Sequence, residues 1–311
     1  DNLLCEDIRS KIYQEDISDV KNFFDEYNVN YMLKSYQTSP LEKYYILRGD
    51  WKLVYWDDVA LIYVKDNESN KKVIGEYAYH YVDPLNFNLS YARALVRHNF
   101  ATFALNELQS NIEQNPGNFK PRLFLGYLYE SLNENEKAVS SYLEVKKIKP
   151  EAGYIHYQIG LRLGRLYLPK NPHFAIRELL RQGKYLKRNP ELEFYLGTAY
   201  YLAGNYKSAI ERFNYCLKLN PDQPVVYNNL GFLYYDMARY GKAIEMYKKA
   251  LEISPDFADS YYGLALIYEK LVEKEEAIKN WEKYLALGKD ARWVATAKEH
   301  LERLTTQKTK R

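Results

Sequence analysis

Residues 227–255 read YNNLGFLYYDMARYGKAIEMYKKALEISP, and this stretch decides the fold. Tyr227, Leu230, Gly231 and Tyr234 fall on one face of a first helix, and Ala243, Tyr247 and Ala250 on one face of a second. Gly231 and Ala243 are small, as two helices crossing closely require. Tyr234 and Tyr247 are sized to fill the space between neighbouring units, and Pro255 stops the second helix because it has no N–H to donate. The frame recurs upstream. Leu125, Gly126, Tyr129, Ala138, Tyr142 and Pro150 repeat it, as do Leu196, Gly197, Tyr200, Ala209, Phe213, Cys216 and Pro221. Pro116, Pro150, Pro190, Pro221 and Pro255 stand 34, 40, 31 and 34 residues apart.

With tyrosines in place of Trp and Phe, the eight points of residues 227–255 resemble the tetratricopeptide repeat (TPR), W-x2-L-G-x2-Y, A-x3-F, A, P. Leu264, Ala265, Tyr268, Ala277 and Trp281 mark a last repeat, and Ala92, Leu95, Ala104, Leu108 and Pro116 a weaker first one. Ile159, Gly160 and Ala175 supply one more, its inter-helix turn lengthened by Leu168-Pro169-Lys170-Asn171-Pro172. The expected architecture is mainly α: a right-handed TPR α-solenoid behind a small α/β module at 1–80. Its six helix-turn-helix repeats fall at 85–118, 119–152, 153–189, 190–223, 224–257 and 258–291. Residues 292–311 form a capping helix, with Trp293, Ala297, Leu301 and Leu304 on one face, and a basic tail.

Composition narrows the function. The chain holds 33 Tyr against 12 Phe, which indicates many half-buried rings whose hydroxyls stay near water. A net charge of +3, from 44 basic and 41 acidic residues, gives no global attraction to nucleic acid, and none is expected as a partner. Cys5 and Cys216 lack ligand spacing, so neither a disulfide framework nor a zinc site is signalled, and Cys216 reads as an inert core thiol.

In the amino-terminal module Val20, Phe23, Phe24 and Tyr27 recur at helical spacing, Val29–Leu33 reads as a strand, and Ser39-Pro40-Leu41-Glu42 opens a short helix. Lys52–Tyr55 and Val59–Val64 form two β-rich runs around Trp56-Asp57-Asp58, a hairpin pattern. Asp7-Ile8-Arg9 with Tyr13, then Phe24–Leu33, and finally Trp51–Asp58 with Ala60 and Tyr63-Val64-Lys65 resemble a known soluble region. It is the part following the last membrane helix in bacterial membrane glycosyltransferases of the dolichyl-phosphate-mannose protein mannosyltransferase type, many of which continue into TPRs. The resemblance covers roughly the first 65 residues. It implies a multi-span protein whose catalytic acids lie in loops not represented here, so no catalytic residue carries over. On that reading the start at Asp1 and the tail Lys308, Lys310 and Arg311 mark an excised extracytoplasmic, membrane-tethered portion; the alternative is a cytoplasmic location.

The residues offer no chemistry of their own. Asp57 and Asp58 sit at the hairpin tip, where Asp suits turn geometry. His80, His98, His156, His173 and His300 are scattered without metal-ligand spacing. No phosphate-binding glycine loop or Gly-x-Ser-x-Gly elbow occurs. The chain is therefore read as a non-enzyme without metal or cofactor. Tyr127, Tyr154, Tyr157, Phe194, Tyr201, Phe232, Tyr235 and Tyr262 form an aromatic row expected on the concave side, suited to contact a protein or peptide, or else to pack neighbouring helices. Asn229 stands where chaperone-tail binders resembling this chain place a carboxylate-holding Asn, but Asp259 and Gly263 replace their basic residues, which disfavours such a clamp. Arg162, Arg165, Arg177, Arg181 and Lys184, with Lys170, Lys187 and Arg188, concentrate positive charge in the third repeat. That patch suits an anionic membrane surface, or is an ordinary solvated face. Two functions follow: an interaction scaffold on a membrane glycosyltransferase-like protein, binding an acceptor or assembly partner in the groove, and a free-standing TPR adaptor or self-associating structural protein.

Overall fold

The computed structural model describes residues 30–35, 50–57, 60–149, 153–183 and 188–306, with the side chains of residues 34, 35 and 154 excepted. The helix expected over Val20–Tyr27, the one opening at Ser39, Asp58, Pro150, Lys184, Lys187 and the basic tail lie outside the described residues. So does most of the stretch that carries the glycosyltransferase resemblance.

Three strands, β1 (Tyr31–Ser35), β2 (Trp51–Trp56) and β3 (Ala60–Lys65), form an antiparallel sheet in the order β1-β3-β2. The hairpin anticipated between β2 and β3 is present, with the register slipping between Leu53 and Tyr55. Asp57 serves its tip as a turn residue: its Oδ1 accepts from Ala60 N–H at 2.8 Å and its Oδ2 from the Tyr55 hydroxyl at 3.1 Å.

Helix α1 (Lys71–Tyr77) is followed by six helix pairs among the described residues. These are α2 (Leu89–Arg97) with α3 (Ala101–Gln114), α4 (Phe119–Ser131) with α5 (Asn135–Ile148), and α6 (Gly153–Tyr167) with α7 (Pro172–Gln182). Then come α8 (Pro190–Leu202) with α9 (Tyr206–Leu219), α10 (Pro224–Asp236) with α11 (Tyr240–Ile253), and α12 (Ala258–Lys270) with α13 (Lys274–Leu287), before α14 (Ala291–Thr306). None of the described helices is long and apolar enough to cross a membrane. The chain divides into two compact units, 1–152 and 153–311.

Within the first unit the sheet is docked on the first helix pairs. Trp56 is fully buried, edge-on to Phe87 at 5.2 Å, and its carbonyl accepts from Asn111 Nδ2 on α3 at 2.9 Å. Glu107 Oε1 accepts from His80 N–H at 2.7 Å, which ties the connecting segment to the same helix.

Within the second unit one device sets the helix spacing. A methyl group placed on Gly231 would come within 2.5 Å of the Tyr247 ring, and one on Gly263 within 2.2 Å. Gly197 stands in the same relation to Phe213 at 2.6 Å, as Gly126 does to Tyr142 in the first unit at 2.2 Å. The small residue thus receives an aromatic ring from the second helix, rather than merely the Ala of that helix. Left-handed residues close the turns within pairs: Asn99 and Asn133 are 34 residues apart, and Gly204, Ala238 and Val272 continue at the same interval. Glu273 N–H bonds Tyr268 O at 2.9 Å and Val272 N–H bonds Glu269 O at 3.1 Å, the paired bonds that satisfy the last carbonyls of a helix. Pro255 follows a helix end as expected, as does Pro221, and Pro190 stands in the first turn of α8, where a residue needs no donor.

Candidate functional site

In the second unit the first helices α8, α10 and α12 are successive neighbours, and polar bonds lock them. Ser260 Oγ on α12 donates to Asn228 Oδ1 on α10 at 3.0 Å, both residues buried. The Tyr201 hydroxyl on α8 donates to Asp236 Oδ2 at the end of α10 at 2.6 Å. Burial, followed by the bonded Asp236 carboxylate, pushes the Tyr201 pKa far up.

An opening of about 300 Å³ follows at the α12 end of this face, lined by Phe232, Asp259, Tyr262, Tyr284 and Trp293. Its rings stand edge to face. Tyr262 meets Trp281 at 5.0 Å, Tyr284 at 5.1 Å and Trp293 at 5.4 Å, each near perpendicular, and Phe232 meets Tyr247 at 5.5 Å and 86°. Trp293 remains 42% exposed. Asp259 lies in the first turn of α12, where a helix N-terminus favours a carboxylate. Its exposed carboxylate forms no hydrogen bond or ion pair with any described residue, and partial desolvation raises its pKa. The other acids nearby are engaged. Asp236 holds Tyr201, while Glu269 accepts from Trp281 Nε1 at 2.6 Å, bonds His300 Nδ1 at 2.8 Å and pairs with Arg303 at 2.6 Å.

The aromatic row expected from sequence divides on inspection. Phe232 and Tyr262 line the opening. Tyr235 is half-buried beside Tyr240 at 5.8 Å, and burial raises its pKa. Asn229 is half-buried on α10. Phe194 packs within its own repeat against Phe213 at 6.3 Å. Tyr157 is half-buried on α6, and the Tyr154 side chain lies outside the described residues. Tyr127, in the first unit, is a correction: at 3% exposure, edge-on to Tyr142 at 6.0 Å, it is core and presents no contact surface.

The basic residues are partly spoken for as well. Arg177 lies over the Phe174 ring at 4.6 Å, and Arg181 pairs with the buried Glu178 at 2.7 Å. Arg162 and Arg165 are half-buried on α6, and Lys184 lies outside the described residues. Cys216 is fully buried, donates its thiol to Pro190 O at 3.1 Å, and has its pKa pushed up to about 11 by burial, which fits an inert thiol. Among the described residues no cluster of three or more His, Cys, Asp or Glu could hold a metal ion.

Sequence reasoning missed Asp236 and Tyr284 as parts of this face and assigned Trp293 wholly to the cap. The available signal was Trp281 and Tyr284 one helical turn apart, facing an aromatic in the first turn of α14.

Sequence models of the TPR repeat match residues 197–238 and 234–272, and models of the tetratricopeptide repeat match 120–151 and 258–288. No curated protein matches the chain. Among solved structures, PilW, a widely conserved type IV pilus biogenesis factor, aligns with a TM-score of 0.55 and 19% identity, covering 67% of this chain and 95% of its own. A tetratricopeptide repeat protein from Parabacteroides merdae aligns with a TM-score of 0.54 and 22% identity, covering 76% and 90%. The MamA protein aligns with a TM-score of 0.46 and 27% identity, covering 54% and 90%. Proteins built of such repeats are generally protein-interaction scaffolds. The chain therefore carries tetratricopeptide repeats across residues 120–151 and 197–288, within a mainly helical fold that has a small three-stranded sheet near its amino-terminal end.

Proposed function

We propose that this chain is a protein-interaction scaffold and that the α8, α10 and α12 face, bounded by α14, holds a peptide or protein segment. The observation that carries the reading is the aromatic opening itself. Phe232, Tyr262, Tyr284 and Trp293, with Asp259, line an opening of about 300 Å³. Phe232, Tyr262 and Trp293 are left part-exposed, with the buried Tyr284 behind them, and rigid rings supply contact area at low entropic cost. Peptides selected by display on the intact chain, then measured by calorimetry, test it. Replacing Tyr262 and Trp293 together by Ala should weaken binding by about 1–3 kcal/mol, and unchanged affinity would move the site off this face.

The likeness of residues 7–65 to the soluble region of membrane glycosyltransferases supports a finer reading. In it the chain is an extracytoplasmic, membrane-tethered part of such a protein, and the face recruits an acceptor or assembly partner. Fractionating native cells with an antibody against the repeats checks this. A band much larger than 36.9 kDa, in the membrane fraction, is the expected result; a soluble band of that size would favour a free-standing or self-associating TPR adaptor instead.

A further inference from the structure

We infer that the opening lined by Phe232, Asp259, Tyr262, Tyr284 and Trp293 is a cation pocket that takes a lysine or arginine side chain of the bound segment. The inference rests on the protein-binding reading above and gives it a chemical specificity. Three independent features of the pocket point the same way.

The first is charge. Asp259 is the carboxylate in the lining, and no described residue bonds or pairs with it. Asp259 stands exposed at the mouth of the opening, with partial desolvation raising its pKa, so an incoming cation can reach its carboxylate from solvent. Asp290 and Glu269 add negative charge nearby, as Tyr284 feels both Asp259 and Asp290 and Tyr262 feels Glu269, while Arg292 on Trp293 is the nearby positive charge. Glu269 is neutralised by Arg303, whereas Asp259 has no such partner.

The second is the rings. A cation over an aromatic face within about 6 Å is attracted by the ring quadrupole, most strongly by Trp. Trp293 already holds a cation of the chain itself, the Arg292 guanidinium 4.7 Å from its ring, so an incoming basic side chain would displace Arg292 there or use the Tyr262 ring. The perpendicular arrangement of Tyr262 against Tyr284 and Trp293 turns ring faces in more than one direction around the opening. An apolar guest would use the rings and leave Asp259 unpaired, whereas a basic side chain uses its stem against the rings and its head at the carboxylate.

The third is size. Pockets that take whole small ligands run from about 300 to 1,000 Å³. At about 300 Å³ the opening is large enough to admit one long side chain.

The test begins with random-peptide display on the intact wild-type chain, followed by affinity measurement of the selected peptides on wild type and on Asp259→Asn. Circular dichroism verifies that the variant is folded. Selected peptides should be enriched in Lys or Arg, should lose about tenfold in affinity when that residue becomes norleucine, and should lose a similar factor on Asp259→Asn. Asp259→Lys should reject the same peptides more strongly, which separates a charge effect from a change of shape. Peptides that bind through this face without a basic residue, or indifferently to Asp259→Asn, would overturn the cation pocket and leave the scaffold reading standing. If no peptide is selected at all, the scaffold reading fails and the pocket fails with it.

Discussion

Tyr201 and Asp236, on the first helices of adjacent repeats, are joined by a hydrogen bond of 2.6 Å from the phenol to the carboxylate. The bond changes the role of Tyr201, which belongs to the seam between α8 and α10 more than to a free contact surface. It also gives Asp236, an acid at the unfavourable C-terminal end of α10, a donor. Tyr201→Phe keeps the ring and removes the donor. It should cost about 1–2 kcal/mol in urea unfolding, and loss of peptide binding without loss of stability would instead make the hydroxyl a ligand contact.

The glycines divide by what faces them. Gly231→Ala would push a methyl into the Tyr247 ring at 2.5 Å and should destabilise by about 2 kcal/mol. Gly241→Ala, in the first turn of α11 with nothing within 4 Å, should stabilise by about 0.5 kcal/mol. Thermal melts of the two variants should shift in opposite directions.

Val272 adopts φ +63° in the turn between α12 and α13 while 86% exposed. A β-branched residue is strained in the left-handed region, and this one buries little in return. Val272→Gly should therefore gain about 1 kcal/mol in chemical denaturation. A loss of stability would mean that the side chain packs against something outside the described fold.

Glu269 fastens α14 to the last repeat through His300 and Arg303 and bonds Trp281 of α13. Glu269→Ala leaves the indole N–H of the fully buried Trp281 without its acceptor, at a cost of about 2 kcal/mol. Hydrogen exchange should show α14 losing protection first, ahead of α10 and α11.

Asp259 has a raised pKa through desolvation, which fixes the sign of its pH effect. Below the ordinary aspartate range the group is protonated both folded and unfolded and contributes nothing. As pH rises from the ordinary aspartate pKa to the raised folded pKa, the unfolded chain ionises while the folded state still holds its proton, so stability falls across that window and the loss is complete above it. Asp259→Asn should thus be at least as stable as wild type at pH 7, with the difference vanishing in acid. Urea midpoints across that range check it, and a destabilised variant at neutral pH would show that the carboxylate serves the fold.

The repeats were legible because their determinants are local and periodic. Leu230, Gly231, Tyr234, Ala243 and Tyr247 recur at offsets that only paired helices can use, and the β2–β3 hairpin was visible as two β-rich runs around Asp57. Pairing across repeats is not encoded at a fixed offset. Nothing in the frame tells Tyr127, which follows Gly126 and is buried against Tyr142, from Phe232, which follows Gly231 and lines the opening, since both are aromatics at the same position of a first helix. Their fates depend on the shapes of the helices packed against them. Likewise the sequence alone supplied Asp236, Asp259 and Glu269 as like acids on one set of helices. Tertiary structure then gave Tyr201 to the first and Arg303 to the last, and left Asp259 facing an aromatic opening, because bonding between distant residues is settled by distance in space.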